Sequence, residues 1–167
     1  MTKKVTGLGG LPQADLSFPD ADKGYYCQCC GSFCKRYYRK MNANMAVTMC
    51  ALFRKKKFGF IKVEEFMRVN GYQRSGDFPY LVHWGLLEKM SGKREDGSSK
   101  HGFYSLTNKG RQFVQRLITV QQTLIIYNGK CEGFEGPEIN IEDALGKKFR
   151  YDELMGTGDR KIQSEVK

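Results

Sequence analysis

The amino-acid sequence predicts an α+β fold, and three observations support that class. Apolar residues recur at helical spacing in the middle of the chain, and short apolar runs bounded by Gly, Asn and Ser predict strands. Apolar residues make up 40% of the 167, which is enough for a hydrophobic core. We divide the chain into four parts: a flexible arm (1–24), a cysteine knuckle with a basic segment (25–41), a central helix-and-hairpin domain (42–118) and a small C-terminal β/α extension (119–167).

The first predicted helix begins near Asn42 or Asn44, since either side chain can cap it. Its apolar face repeats at spacings of four, four, three and one residues, the pattern of an amphipathic helix packed on a core: Met41, Met45, Met49, Leu52 and Phe53. The basic residues 54–57 fall in its last turn, where cations favour the negative end of the helix dipole.

Two further helices and a hairpin follow. A short helix is predicted before Asn70-Gly71, a pair that typically ends a helix. Another helix is predicted over 77–84, because Pro79 suits a first helical turn and Gly85 closes the helix. Phe103–Leu106 predicts the returning strand of a hairpin whose turn is rich in Gly and Ser. A fourth helix is then capped by Thr107 and carries the apolar residues Phe113, Val114 and Leu117.

The order helix, helix, helix, strand, turn, strand, helix is that of a winged helix-turn-helix. The stretch Trp84–Val114 resembles the wing region of many winged-helix transcription regulators, in which a Gly-Leu-Leu/Ile-Glu strand opens the wing and a Leu-Thr-x-x-Gly-Arg segment closes it. These motifs are Gly85–Glu88 and Leu106–Arg111 in this sequence. The resemblance covers residues 42–118 and implies a DNA-binding regulator whose third helix reads base edges.

The C-terminal extension is predicted to begin with two β segments, 118–120 and 123–127, joined by a polar pair. Asn128-Gly129 turns the chain, Pro137–Ile141 predicts a further strand, and two short helices follow at 142–145 and 151–155. Together with the Cys-x-x-Cys-Gly element, this layout is similar to small phage- and prophage-type proteins of unassigned function. That resemblance implies a phage protein located in the cytoplasm of the host cell.

The net charge of +10 comes almost wholly from one stretch. Residues 34–62 hold nine basic residues and no acid, whereas residues 1–33 are neutral overall and residues 63–167 carry +1. Such a block attracts phosphates, so double-stranded DNA is the predicted partner; a solvated helix face is the alternative. From this block, the third helix with its preceding turn, and the wing, we predict the nucleic-acid-binding residues Lys35, Arg36, Arg39, Lys40, Arg54, Lys55, Lys56, Lys57, Arg74, Tyr80, His83, Lys93, Arg94 and Lys100.

Four of the six cysteines lie within eight residues, which in a cytosolic protein indicates metal or redox chemistry. Cys27-x-x-Cys30-Gly31 has the spacing of a zinc knuckle, in which two thiolates reach one tetrahedral Zn²⁺. The predicted ligands are Cys27, Cys30, Cys34 and Cys29, with His101, Cys50 and Cys131 as alternatives for the fourth position. A metal-free thiol cluster and a redox role stay open, the latter because Lys35 and Arg36 adjoin the cluster.

Two functions therefore stand side by side. The first is a phage-type transcriptional regulator that binds DNA through a winged helix and a basic patch. The second is a winged-helix interaction module that serves as adaptor or inhibitor of a host protein. It is motivated by a third helix without Lys or Arg and by a tail, residues 131–165, with nine acids against five basic residues.

No apolar run approaches the roughly 18 residues of a membrane span, and the first residues lack the apolar core of a secretory signal. We therefore expect a cytoplasmic protein without a membrane partner. The sequence also lacks a phosphate-binding glycine loop with Lys-Ser/Thr, a His-Glu-x-x-His motif and a Gly-x-Ser-x-Gly motif. We accordingly expect no enzymatic activity.

Overall fold

A computed structural model of the chain describes residues 20–55, 59–73, 76–93 and 95–156. Most of the predicted arm lies outside the described residues, as do four of the predicted DNA-contacting residues: Lys56, Lys57, Arg74 and Arg94. The chain divides into two compact units, Met1–Arg36 and Tyr37–Lys167. The predicted boundaries after residues 41 and 118 both fall inside the second unit.

The described part of the first unit is an antiparallel hairpin. Strand β1 (Tyr25–Tyr26) pairs with β2 (Phe33–Cys34). The Gly31 N–H donates to the Cys27 carbonyl at 2.8 Å, and Gly31 has a φ of +69°, a conformation that favours glycine. The Cys-x-x-Cys-Gly segment therefore forms the turn between the two strands, as its glycine predicts.

The second unit is a mixed α+β structure within its described residues, which confirms the predicted class. In chain order its elements are β3 (Arg36–Lys40, which starts at the last residue of the first unit), α1 (Ala43–Arg54), β4 (Ile61–Lys62), α2 (Val63–Val69), a 3₁₀ helix (Phe78–Val82), β5 (Leu87–Lys89), β6 (Phe103–Leu106), α3 (Asn108–Val114), β7 (Val120–Tyr127), β8 (Lys130–Ile139), α4 (Ile141–Leu145) and α5 (Tyr151–Met155). One sheet has the strand order β3-β7-β8, and the other has the order β4-β6-β5.

Helix α1 is the centre of the core. Its predicted cap is confirmed at Asn42, whose side-chain oxygen accepts from the Met45 N–H at 3.0 Å. The methionine stripe that begins at Met41 is buried, and Phe53 packs half-buried at its edge. The helix contacts α3, α4 and α5, so the C-terminal segment packs on the same core as the central domain.

The predicted third helix is shorter than 77–84. It is a 3₁₀ helix with Pro79 in its first turn. The bonding from residue i to i+3 continues beyond it, because the His83 N–H donates to the Tyr80 carbonyl and the Gly85 N–H to the Val82 carbonyl, each at 3.0 Å. The chain therefore turns tightly instead of extending as an α-helix.

The predicted hairpin is confirmed, with Leu87 opposite Leu106 and β4 paired on the far side of β6. Thr107 caps α3 by accepting from the Gly110 N–H at 3.0 Å, as predicted. The assignment of Leu117 to the apolar face of this helix was wrong, since Leu117 is exposed. The helix ends at Val114, and Arg116, with a φ of +64°, turns the chain away.

Two predictions for the C-terminal strands are corrected. The polar pair Gln121-Gln122 does not interrupt β7, because both carbonyls are used: one accepts from the Trp84 indole N–H at 2.8 Å and the other from the Met41 N–H at 2.9 Å. Strand β8 begins right after the turn at Asn128-Gly129, well before the predicted start at residue 137. Helices α4 and α5 lie where the sequence predicts them. Across the described residues no helix has the length and apolar character needed to cross a membrane.

Candidate functional site

Strand β3 presents aromatic and cationic side chains together. It lies at the edge of its sheet, and Tyr37 and Tyr38 are 45% and 46% exposed. Arg39 and Lys40 are exposed beside them. The Arg39 guanidinium carbon lies 5.9 Å from the ring centroid of Tyr37 and 5.3 Å from that of Tyr80 in the 3₁₀ helix. The guanidinium thus links two elements that are distant in the sequence.

A cleft of about 330 Å³ lies where β3 meets the 3₁₀ helix. Its lining combines two tyrosines, two cations, two carboxylates, a methionine and a threonine: Tyr38, Tyr80, Arg39, Lys40, Asp77, Glu135, Met45 and Thr123. Asp77 is held in place because its carboxylate accepts from the Asn42 side-chain amide at 3.0 Å. His83 extends this surface, with its ring 6.4 Å from that of Tyr80 and nearly parallel to it.

The cleft therefore brings together four of the predicted DNA-contacting residues: Arg39, Lys40 and Tyr80 line it, and His83 adjoins it through Tyr80. Sequence reasoning missed Glu135 and Thr123, which reach the cleft from β8 and β7. No local sequence signal identifies them, since their placement depends on which strand pairs with β3.

The other described residues of the predicted set lie elsewhere. Arg54 donates to the Leu154 carbonyl at 2.8 Å, and the ammonium of Lys55 lies 6.0 Å from the Phe66 ring, so both support the packing of α1. Arg36 pairs with Asp22 at 3.0 Å within the first unit, which also holds Lys35. Lys93 and Lys100 lie in the turn of the β5–β6 hairpin, the former exposed and the latter half-buried.

A second cleft, of about 340 Å³, runs along α2. Its charged lining residues balance, with two carboxylates against two cations: Glu64, Glu65, Lys62 and Arg68. The Lys62 ammonium lies 3.9 Å from the Glu65 carboxylate. The first cleft has the same balance of two cations against two carboxylates, and it differs in that its Arg39 guanidinium packs on a tyrosine ring.

The cysteine hairpin of the first unit brings Cys27, Cys29 and Cys30 close together. Hydrogen bonding with the hydroxyl of Ser32 foremost, and then with its backbone N–H and with the Cys27 thiol, lowers the pKa of the Cys30 thiol. The Cys34 thiol instead donates to the Ser32 carbonyl at 3.7 Å.

The predicted four-cysteine zinc set is not assembled in this hairpin. Among the described residues, no group of three or more Cys, His, Asp or Glu side chains converges in a way that could hold a metal ion. Of the alternative ligands, Cys50 is fully buried in α1, and burial raises its pKa to about 12. His101 and Cys131 belong to the second unit and are exposed.

Cys30 is expected to be alkylated several-fold faster than the neighbouring Cys29, which is also exposed, when iodoacetamide is added at pH 7. A lowered pKa keeps the reactive thiolate of Cys30 populated at lower pH. The ratio of the Cys30 alkylation rate to the Cys29 alkylation rate should therefore grow as the pH falls from 9 to 7. The measurement uses chelator-treated protein and follows label incorporation by mass spectrometry. The fast phase should vanish in Cys30→Ser and persist in Cys29→Ser; the reverse pattern would contradict the prediction.

The second unit thus has an aromatic cleft lined by two cations and two carboxylates, and the first unit has a cluster of neighbouring cysteines. A comparison with protein-family models, with curated proteins and with solved structures gives no significant match to this chain.

Proposed function

We propose that the protein binds double-stranded DNA as a regulator of transcription, through a surface made by β3 and the 3₁₀ helix. One observation carries the proposal. Arg39 and Lys40 on β3 share a cleft with Tyr80, about 40 residues later in the sequence, and an Arg–Tyr contact of 5.3 Å joins them. In this proposal residues 42–118 act as a winged helix, with the 3₁₀ helix at the bases and the β5–β6 hairpin as the wing.

The electrostatics of the cleft suit a nucleic acid better than a simple anion. Exposed cations on β3 attract phosphates, and Arg39 is already oriented by its two tyrosine contacts. The carboxylates of Asp77 and Glu135 are acceptors for amino groups such as cytosine N4, which a phosphate lacks. The surface therefore combines backbone attachment with acceptors for base edges.

The hairpin turn contributes further cations. Lys93 is exposed in this turn and forms a bridge to Ser99 across it. The carboxylate of Asp96 accepts from the Ser98 N–H at 2.9 Å and from the Ser98 hydroxyl at 2.6 Å, which ties it into the turn. A wing with this arrangement is suited to contact phosphates or the minor groove.

The test is the salt dependence of binding to a labelled random-sequence duplex, followed by fluorescence anisotropy in the presence of excess polyglutamate. Two neutralised phosphates, one each for Arg39 and Lys40, give a slope of about −1.8 in log K against log salt, and additional contacts make it steeper. Retention of binding in polyglutamate separates a duplex partner from a general polyanion partner. Absence of binding at 50 mM salt, about the lowest concentration at which such complexes are compared, would overturn the proposal.

A second candidate function is a protein-interaction module that acts on a host protein. The observation in its favour is that the 3₁₀ helix carries no cation, while Val69 and Leu117 are exposed large apolar side chains of the same unit. Capture from nuclease-treated host lysate distinguishes the two functions. Two results together would favour this second function. The wild-type protein fails to bind duplex DNA, and it retains a host protein that the double variant Val69→Ser, Leu117→Ser does not retain.

A further inference from the structure

We propose that Cys27 and Cys30 form one half of a tetrahedral Zn²⁺ site, and that the same two cysteines of a second copy of this chain complete it. The proposal is independent of DNA binding, because it concerns the first unit alone.

The hairpin turn brings the two sulfurs together. The Cys27 N–H donates to the Ser32 carbonyl, and the Gly31 N–H donates to the Cys27 carbonyl, both at 2.8 Å. These bonds fold residues 27–32 into a tight loop in which Cys27 and Cys30 lie close together. Two thiols at this spacing on one turn are the donor set that binds a thiophilic divalent ion such as Zn²⁺.

The surroundings of Cys30 also suit a metal-bound thiolate. The backbone N–H and the hydroxyl of Ser32, two potential donors, lie near its sulfur. Donors around a ligating atom orient it and stabilise its charge, and such contacts accompany most metal sites. The sulfur is exposed at the same time, so a metal ion in solvent reaches it without any rearrangement of the chain.

One chain does not supply the remaining two ligands. Every cysteine and histidine of the sequence lies within the described residues, and no group of three metal-ligating side chains converges there. Cys29 lies close to Cys27 and Cys30 but does not form such a group with them, and Cys34 on β2 directs its thiol to the Ser32 carbonyl. The nearby carboxylates are engaged as well, since Asp20 lies 3.7 Å from Lys23 and Asp22 lies 3.0 Å from Arg36.

A second copy supplies the missing pair by symmetry. Zn²⁺ with structural thiolate ligands is four-coordinate, so two identical pairs related by a two-fold axis complete one site. Binding removes the proton from each of the four cysteines that is still a thiol, releases it to solvent and transfers no electron.

An exposed aromatic pair on the same hairpin provides the contact for that second copy. Tyr26, which directly precedes Cys27, is 72% exposed, and Phe33 opposite it is 51% exposed. Their rings pack on each other with centroids 5.2 Å apart. Two such pairs brought together around a shared ion remove apolar surface from water on both copies.

The experiment titrates chelator-treated, reduced full-length protein with Co²⁺ or Zn²⁺. We expect saturation at about 0.5 metal ions per chain, a Co²⁺ absorption spectrum of tetrahedral thiolate coordination, and a twofold rise in molar mass by light scattering. Addition of chelator should return the mass to that of the monomer.

Variants assign the site. Cys27→Ser and Cys30→Ser should each abolish metal binding and the change in mass, whereas Cys131→Ser, which removes an exposed thiol of the second unit, should leave both unchanged. Tyr26→Ser keeps all thiols and should weaken the metal-dependent dimer several-fold. Saturation at one ion per monomer with loss in Cys34→Ser would overturn the shared site in favour of a single-chain site. Absence of metal binding would overturn the proposal altogether, as would a molar mass that changes neither when metal is added nor when chelator is added.

Discussion

Replacement of Gly110 by alanine is expected to lower the free energy of unfolding by about 2–3 kcal/mol. A Cβ atom at this position would overlap the Leu86 carbonyl oxygen and come within 2.8 Å of Leu106 Cδ1. The carbonyl has no room to retreat, because it accepts from both the N–H and the hydroxyl of Thr107 at 3.1 Å. Helix α3 would have to move away from the β5–β6 hairpin, at the expense of core packing.

The measurement is urea unfolding followed by circular dichroism, with the fluorescence of the single tryptophan, Trp84, as a second probe. Gln112→Ala is the matched control, since Gln112 is exposed on the same helix and the change introduces the same residue type. The control should alter stability by less than about 0.5 kcal/mol. Equal effects of the two substitutions would show that the close approach at Gly110 does not matter.

Neutralising both cations of the cleft, by Arg39→Gln and Lys40→Gln, should weaken duplex DNA binding roughly 10- to 100-fold at 100 mM salt. Each lost phosphate contact removes about 0.9 from the magnitude of the salt slope, so the pair should flatten it by about 1.8. We expect this loss of binding because the two side chains lie on the exposed edge strand that lines the cleft.

The matched control is Lys147→Gln with Lys148→Gln, which removes the same net charge from two exposed residues outside the cleft. The measurement is the salt dependence of the affinity of each double variant for the same duplex. The control should keep the wild-type slope. A loss of equal size in both variants would mean that total charge, and not the cleft, governs binding.

Local signals predicted the elements that depend on few neighbours. The cap at Asn42, the strand Phe103–Leu106 and the helix Tyr151–Met155 lie where the sequence places them, because capping and apolar spacing act within one or two turns. The Leu-Thr-x-x-Gly-Arg motif now has a physical reason. Thr107 caps the helix that follows, and Gly110 permits its close approach to Leu86.

The candidate cleft was only half predictable. Its cations follow from the charge pattern, but residues 37–40 show no alternation that would predict a strand, and β3 exists because it pairs with β7. Pairing between distant segments also places Glu135 in the cleft and keeps the polar pair 121–122 inside a strand. Such contacts depend on register, which a single sequence specifies only through the completed fold.

The cysteine site shows the same division. The spacing Cys27-x-x-Cys30 and the glycine after it are local, and they correctly predict a turn that brings two cysteines together. The direction of the Cys34 thiol depends on the hairpin register, in which Cys34 lies opposite Tyr25. Spacing alone therefore predicted four candidate ligands, whereas the structure places Cys27, Cys29 and Cys30 close together and directs the Cys34 thiol to a backbone carbonyl.

The pairing of β3 with β7 also affects how the chain is made. The Met41 N–H at the end of β3 bonds to Gln122, about 80 positions later, so β3 leaves the ribosome long before its partner. At roughly 5–20 residues per second the nascent strand waits several seconds with unpaired backbone groups and two uncovered tyrosines. Arg39 and Lys40 place positive charge on that waiting strand, and charge on an open edge opposes pairing with a neighbouring chain. We therefore expect the basic residues of β3 to oppose aggregation of the nascent chain before the sheet closes.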